Sequence, residues 1–161
     1  MHPSINSFLA YLKTEKQASP HTTRSYEDDL ALFWRYLEES LGEGADPAAV
    51  DSGRLRRYSA WLNSQGYAAT TIARRLASLR SFFRYLRRQG TVSVDPVAGV
   101  RNPKQPKRLP RLLRVDDVIR MLDGIPVDTS LGVRDRAMLE TLYGGGLRVS
   151  ELVGLNLDDI D

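Results

Sequence analysis

The sequence predicts an all-α chain in two parts, a helical bundle and a shorter helical segment, joined by a basic, proline-rich linker. Three observations predict it. Apolar residues recur at i, i+3 or i+4, and i+7 in six stretches, the spacing of one helix face. Ser-Pro, Asp-Pro and Gly punctuation falls where those stretches start and stop. No stretch shows the two-residue alternation of a half-buried strand. The 161 residues are 42% hydrophobic, enough for a real core in one domain or two small ones.

Ile5, Phe8, Leu9 and Leu12 make a first helix to about residue 15, and residues 16–19 a turn. Ser19-Pro20 is a strong helix start, with Ser as N-cap and Pro at the first helical position. Tyr26, Leu30, Phe33 and Leu37 then form one apolar stripe flanked by Trp34, ending near Gly42. Thr22, Thr23 and Arg24 occupy the first turn, where they can donate to a phosphate or simply cap and meet solvent. Asp46-Pro47 predicts a single short turn. Asp51 or Ser52 caps a third helix through residue 65, with Leu55, Tyr58 and Leu62 inward and Gly66 as its stop.

The fourth helix, residues 70–89, has a continuous apolar stripe of Ile72, Leu76, Leu79, Phe83 and Leu86. The opposite face carries Thr70, Arg74, Ala77, Ser78, Ser81, Tyr85 and Arg88, a basic and hydroxylated surface suited to a major groove. Arg75, Arg80, Arg84 and Arg87 lie on its flanks, within reach of phosphates. Residues 94–110 contain four prolines and no helical period, so they read as an extended linker. Arg101, Lys104, Lys107 and Arg108 make it basic. Leu112, Leu113, Val118, Ile119 and Leu122 predict a helix capped near residues 115–116. Val133, Ala137, Met138 and Leu142 predict another over residues 131–142.

Charge is unevenly distributed. The net charge is only +3, yet residues 67–115 hold twelve Lys/Arg and one acid, Asp95. Such asymmetry points to a polyanion met by one region, nucleic acid foremost. A solvated basic helix and tail is the plain alternative. The chain has no cysteine and two histidines, His2 and His21, which excludes a disulfide framework and argues against a zinc site or histidine-based triad. No apolar run is long enough to span a membrane, and the N-terminus lacks a secretory pattern, so a soluble cytoplasmic protein is expected.

The second part is organised around Leu142-Tyr143-Gly144-Gly145-Gly146-Leu147-Arg148-Val149-Ser150-Glu151-Leu152. Three glycines interrupt the helical pattern, which restarts with Leu147, Glu151 and Leu155. Arg148 thus lies at a helix N-terminus, where a cation is locally unfavourable. Two readings fit. Arg148 is an oxyanion-binding fork held by Glu151 one turn on, or the stretch is a glycine-rich turn in which the two residues merely pair.

This stretch closely resembles the first arginine box of the tyrosine recombinases (phage integrase family), especially the bacterial Xer type, whose usual wording is Tyr-x-Thr-Gly-Leu-Arg-x-Ser-Glu-Leu. Gly145 stands where Thr is usual, so no hydroxyl is present there. Ser19-Pro20-His21-Thr22-Thr23-Arg24-Ser25-Tyr26 with Asp29-Leu30 is similar to the second-helix signature of the family's core-binding domain. Residues 71–83 are similar to its fourth helix. Asp95-Pro96, Pro103-Lys104 and Leu109-Pro110 are similar to its linker. The resemblance implies a four-helix SAM-like core-binding domain at residues 1–93, the linker at 94–110, and the first helices of an incomplete α+β catalytic domain at 111–161.

It also implies a metal-free, cofactor-free reaction in which a tyrosine hydroxyl attacks a DNA phosphodiester, giving a 3′-phosphotyrosine and a free 5′-hydroxyl. Arg148 matches the first catalytic arginine and Glu151 the buried acid that supports it. The implied DNA-binding residues are Thr22, Thr23, Arg24, Thr70, Arg74, Arg75, Ser78, Ser81, Arg84, Arg88, Arg101, Lys104, Lys107 and Arg108. The family's later boxes and nucleophile are not recognised here, and the role falls to none of Tyr11, Tyr26, Tyr36, Tyr58, Tyr67, Tyr85 or Tyr143. The chain is therefore expected to bind a recombination site in duplex DNA, within a homo- or hetero-tetramer of recombinases when full length, and not to cleave it alone. Chromosome dimer resolution is the expected setting. A non-catalytic helical DNA-binding or architectural protein is a second reading, and a helical module for an acidic protein partner a third.

Overall fold

The computed structural model describes residues 2–42, 44–104 and 112–159. All its regular elements among those residues are helical, in two compact units, residues 1–107 and 108–161.

The first unit contains α1 (Pro3–Thr14), α2 (Pro20–Leu41), a 3-10 turn (Pro47–Ala49), α3 (Ser52–Ser64) and α4 (Ala69–Arg88). The predicted starts are present. Ser19 Oγ accepts from the Thr22 amide at 3.2 Å, and Asp51, rather than Ser52, caps α3 through the Arg54 amide at 2.6 Å. The cap of α1 is one that spacing does not predict: His2 Nδ1 accepts from the Ser4 amide, and its ring lies 4.5 Å from that of Trp34.

α4 packs against each of the other three helices. That is why its apolar stripe is the longest, and Ile72, Leu76, Leu79, Phe83 and Leu86 are all buried, joined by Phe82. Phe8 of α1 is fully buried, its ring within 5.5 Å of those of Tyr26, Phe82 and Tyr85. Phe33 of α2 meets Tyr58 of α3 edge-on at 4.9 Å. The chain after α4 also joins this core. Val97 is fully buried and Val100 nearly so, while Arg80 Nη2 donates to the Val100 carbonyl at 2.9 Å and to Asn102 Oδ1 at 2.8 Å. The stretch that prolines mark as linker is, at its start, a strap fastened to α4.

The second unit contains α5 (Val115–Asp123), α6 (Ser130–Gly145), α7 (Val149–Val153) and a 3-10 turn (Leu157–Asp159). Arg136 ties α6 to α5 by an ion pair with Asp123 at 3.5 Å. Gly132 lets α6 approach the preceding loop, since a Cβ there would stand 1.7 Å from the Pro126 carbonyl oxygen. The glycines differ from the sequence expectation. Gly144 and Gly145 continue α6, and only Gly146, with φ +61°, breaks it; the Leu147 amide then closes the end on the Leu142 carbonyl. Of the apolar residues that predicted α5, Leu112, Leu113 and Ile119 are exposed, and Val118 is the buried apolar side chain of this unit among the described residues.

Arg148 is the N-cap of α7; its amide donates to Glu151 Oε2 at 2.7 Å while its Nη1 donates to Glu151 Oε1 at 2.9 Å. These two bonds, the backbone one first, hold the Glu151 carboxyl below the usual glutamate range.

Two outcomes are expected. Phe8→Ala should destabilise the first unit by about 3–5 kcal/mol, read by denaturant unfolding with Trp34 and Trp61, both in that unit, as fluorophores. The α7 cap should be fully present above the ordinary glutamate pKa and be lost as pH falls through the lowered value. An NMR titration of Glu151 should show that lowered midpoint, and Arg148→Ala should raise it.

Candidate nucleic-acid interface

α4 carries six arginines and no acid over its 20 residues. Because its inner stripe is fixed by three packing partners, the remaining side chains have defined positions. Thr70, Arg84 and Arg88 are exposed, Arg74 is half-exposed and Ser81 half-buried. Ser81, Arg84 and Arg88 line one groove of about 240 Å³ together with Tyr11, Lys16, Tyr26 and Tyr85. Arg88 Nη1 approaches the Tyr11 hydroxyl at 3.5 Å, and Lys16 Nζ lies 6.0 Å from the Tyr11 ring centre. The groove therefore has aromatic walls and a cationic rim, a composition able to seat a phosphate and cover a sugar or base.

Lys16, Tyr11 and Tyr26 were not among the residues read as DNA contacts. Lys16 sits in the α1–α2 turn, and Tyr26 reads as core in its stripe. The one available signal was a lysine just before a helix start whose first turn has no acid. The backbone helps present it, for Gln17 beside it has φ +48°, in the left-handed region.

Three candidates face inward, which corrects the outward placement read from helical spacing. Thr23 is buried, and its hydroxyl donates to the Ser19 carbonyl at 3.2 Å. Ser78 is buried, and its hydroxyl donates to Asp29 Oδ2 at 2.7 Å. The Arg75 side chain is only 13% exposed. Its guanidinium lies 4.8 Å from the Tyr67 ring centre, and Nη1 stands 3.4 Å from Asp29 Oδ1, an ion pair not aligned as a hydrogen bond. Thr23 turns in to its own helix's first turn, whereas Ser78 and Arg75 share one physical reason. The Asp29 carboxylate of α2 is fully buried, and a buried charge draws whatever donors the facing helix offers. Arg74 is the third of these donors, with Nη1 2.6 Å from Asp29 Oδ2. Arg80, read as a flanking phosphate contact, instead holds the strap.

Nearby, the Tyr58 hydroxyl is buried with no hydrogen-bond partner among the described residues, and burial pushes its pKa up. Thr22 and Arg24 are exposed on the first turn of α2, Thr22 sharing a 2.9 Å hydrogen bond with Ser19. Arg101 and Lys104 are exposed beyond the strap; Lys107 and Arg108 lie outside the described residues.

In the second unit the Arg148 side chain is 82% exposed and Glu151 47% exposed. The pairing common to both readings of this turn is present. The burial implied for Glu151 is not, because α7 meets α6 along one side only and stays largely exposed among the described residues, with Val149 and Val153 69% and 79% exposed. Among the described residues no group of three or more His, Asp or Glu converges as a metal site, and no helix is long and apolar enough to cross a membrane.

Residues 5–90 match the family model described as phage integrase, N-terminal SAM-like domain, and residues 111–161 the one described as phage integrase family. Tyrosine recombinase XerC of Pelotomaculum thermopropionicum is 46% identical over 164 residues, covering 100% of this chain and 54% of the relative. XerC of Azotobacter vinelandii is 46% identical over 162 residues, with 100% and 53% covered. Tyrosine recombinase XerD of Listeria monocytogenes serotype 4b is 41% identical over 160 residues, with 99% and 54% covered. The chain spans about half the length of these curated relatives. With family models matched over residues 5–90 and 111–161 and relatives at 41–46% identity, the chain belongs to the phage integrase family of tyrosine recombinases, among proteins of the Xer type.

Proposed function

We propose that this chain is the DNA-gripping portion, with the first catalytic arginine, of a site-specific tyrosine recombinase that cuts and rejoins duplex DNA through a 3′-phosphotyrosine. The observation that carries the reading is the exposed cationic row on α4, an acid-free helix whose Arg84 and Arg88 share a groove with Lys16. In this reading residues 1–93 clamp the duplex, the part of 94–110 beyond the strap follows its backbone, and 111–161 begin the catalytic part. Thr22, Arg24, Thr70, Arg74, Ser81, Arg84, Arg88, Arg101, Lys104, Lys107 and Arg108 contact DNA, the phosphates foremost.

The chemistry asked of Arg148 is electrostatic. As a tyrosine oxygen bonds to phosphorus and the 5′-oxygen departs with a proton, negative charge concentrates on the non-bridging oxygens. A guanidinium held by Glu151 meets that charge without reorganising. Arg148 is exposed and forked, as such a role requires. Tyr58, buried and with its pKa pushed up, is unsuited as the nucleophile. The working assembly in this reading is a tetramer of recombinases on two DNA sites in the cytoplasm, and its setting chromosome dimer resolution.

If the basic face neutralises about six phosphates, affinity for duplex DNA should fall steeply with salt, with a log–log slope of about −5. A flat profile in a fluorescence-anisotropy titration, or no duplex binding at low salt, would exclude the reading. In a full-length enzyme, Arg148→Ala should leave duplex binding unchanged and slow strand cleavage by roughly 3 kcal/mol of transition-state stabilisation. Cleavage at the unaltered rate would remove Arg148 from the mechanism.

A further inference from the structure

Arg74 differs from the other cations on the outer face of α4. Arg84 and Arg88 are exposed and make no ion pair among the described residues, Arg88 having only a long contact to the Tyr11 hydroxyl. Arg74 is half-exposed but anchored, since its Nη1 donates at 2.6 Å to Oδ2 of Asp29, a carboxylate with no solvent exposure. The same oxygen accepts from Ser78 Oγ at 2.7 Å, and Arg75 Nη1 stands 3.4 Å from the other. Asp29 is thus fixed from three sides, and it fixes Arg74 in turn. Nε–H and Nη2–H of Arg74, the parallel pair of donors that forks onto an anionic oxygen pair, have no partner among the described residues.

A free arginine on a helix surface must give up rotamer freedom when it binds, and this one has already lost it. Fixing has an electrostatic drawback, because a negative charge set beside a DNA-facing cation weakens its pull on phosphate. Were α2 and α4 only being joined, an uncharged hydrogen bond or an apolar pair would serve with less desolvation.

We propose that Asp29 is a positioning residue for DNA binding: its buried carboxylate holds the Arg74 guanidinium with the Nε–Nη2 edge presented to a backbone phosphate. The inference rests on the DNA-binding reading above. It distinguishes the geometry of Arg74 from its charge, and Arg74→Lys, which keeps the charge and loses the fork, separates the two.

The test measures anisotropy of a mixed-sequence DNA duplex, about two helical turns long, titrated at several salt concentrations with the 161-residue chain and its variants. Arg74→Lys should weaken binding about tenfold. Asp29→Asn should weaken it severalfold, although it removes a negative charge, and should lower the salt slope by about one. That loss should vanish in an Arg74→Ala background, where there is no guanidinium left to position. Binding by Arg74→Lys equal to wild type would overturn the proposal. So would tighter or unchanged binding by Asp29→Asn, or the same Asp29→Asn loss with and without Arg74. If Trp34 and Trp61 fluorescence shows that Asp29→Asn does not fold, Arg74→Lys, altering one half-exposed side chain, decides the question. Failure of the wild-type chain to bind duplex DNA would overturn the functional reading and this proposal together; wild-type binding with unaffected variants overturns this proposal alone.

Discussion

A buried carboxylate cannot be left without partners, and Asp29 imposes that constraint on the first unit. Its side chain has no contact with solvent, and three donors answer it, all from α4. Arg74, Arg75 and Ser78 span little more than one helical turn, so they fix the rotation of α4 about its own axis as well as its contact with α2. With that rotation set, the stripe from Ile72 to Leu86 turns inward and Arg84 and Arg88 turn out. A small rotation would bury one of those arginines or expose Phe82.

One helix thereby serves as both core and cationic surface. α4 packs against α1, α2 and α3. Its aromatic side chains interlock with Phe8 and Phe33, while its outer arginines gather beside Lys16 and Tyr11. The strap beyond α4 uses the same economy of position, with valines on one side and the Arg80 bonds on the other. The contacts that hold residues 97–102 to α4 also set where Arg101 and Lys104 leave the bundle.

The two arginines singled out for phosphate, Arg74 and Arg148, are held by different means. Arg148 depends on a partner three residues away, so its arrangement is local and survives with α7 largely exposed. Arg74 depends on a carboxylate 45 residues away and on a packed helix pair. The first is set by turn chemistry. The second exists only once the bundle has closed.

Helical spacing and caps were enough to determine the helices themselves. Ser19, Asp51 and the apolar stripes act within one or two turns, so the chain carries them wherever it goes. The arginine box, the Arg148–Glu151 pair and the basic character of α4 were legible for the same reason. What spacing could not tell was which face of α4 is outer at each height, because that depends on what stands opposite. Ser78 and Arg75 lie where a helical wheel puts surface, and Asp29, on another helix, pulls them in. Lys16 joins Arg84 and Arg88, and residues 97–100 become core, through contacts between distant segments. Gly144 and Gly145 stay helical because glycine permits a break without compelling one. The sequence alone thus determined the helices, their caps and the charge they bear. Only the tertiary structure decided which charges are buried partners and which are left to meet another molecule, because burial is a property of the neighbours a residue acquires.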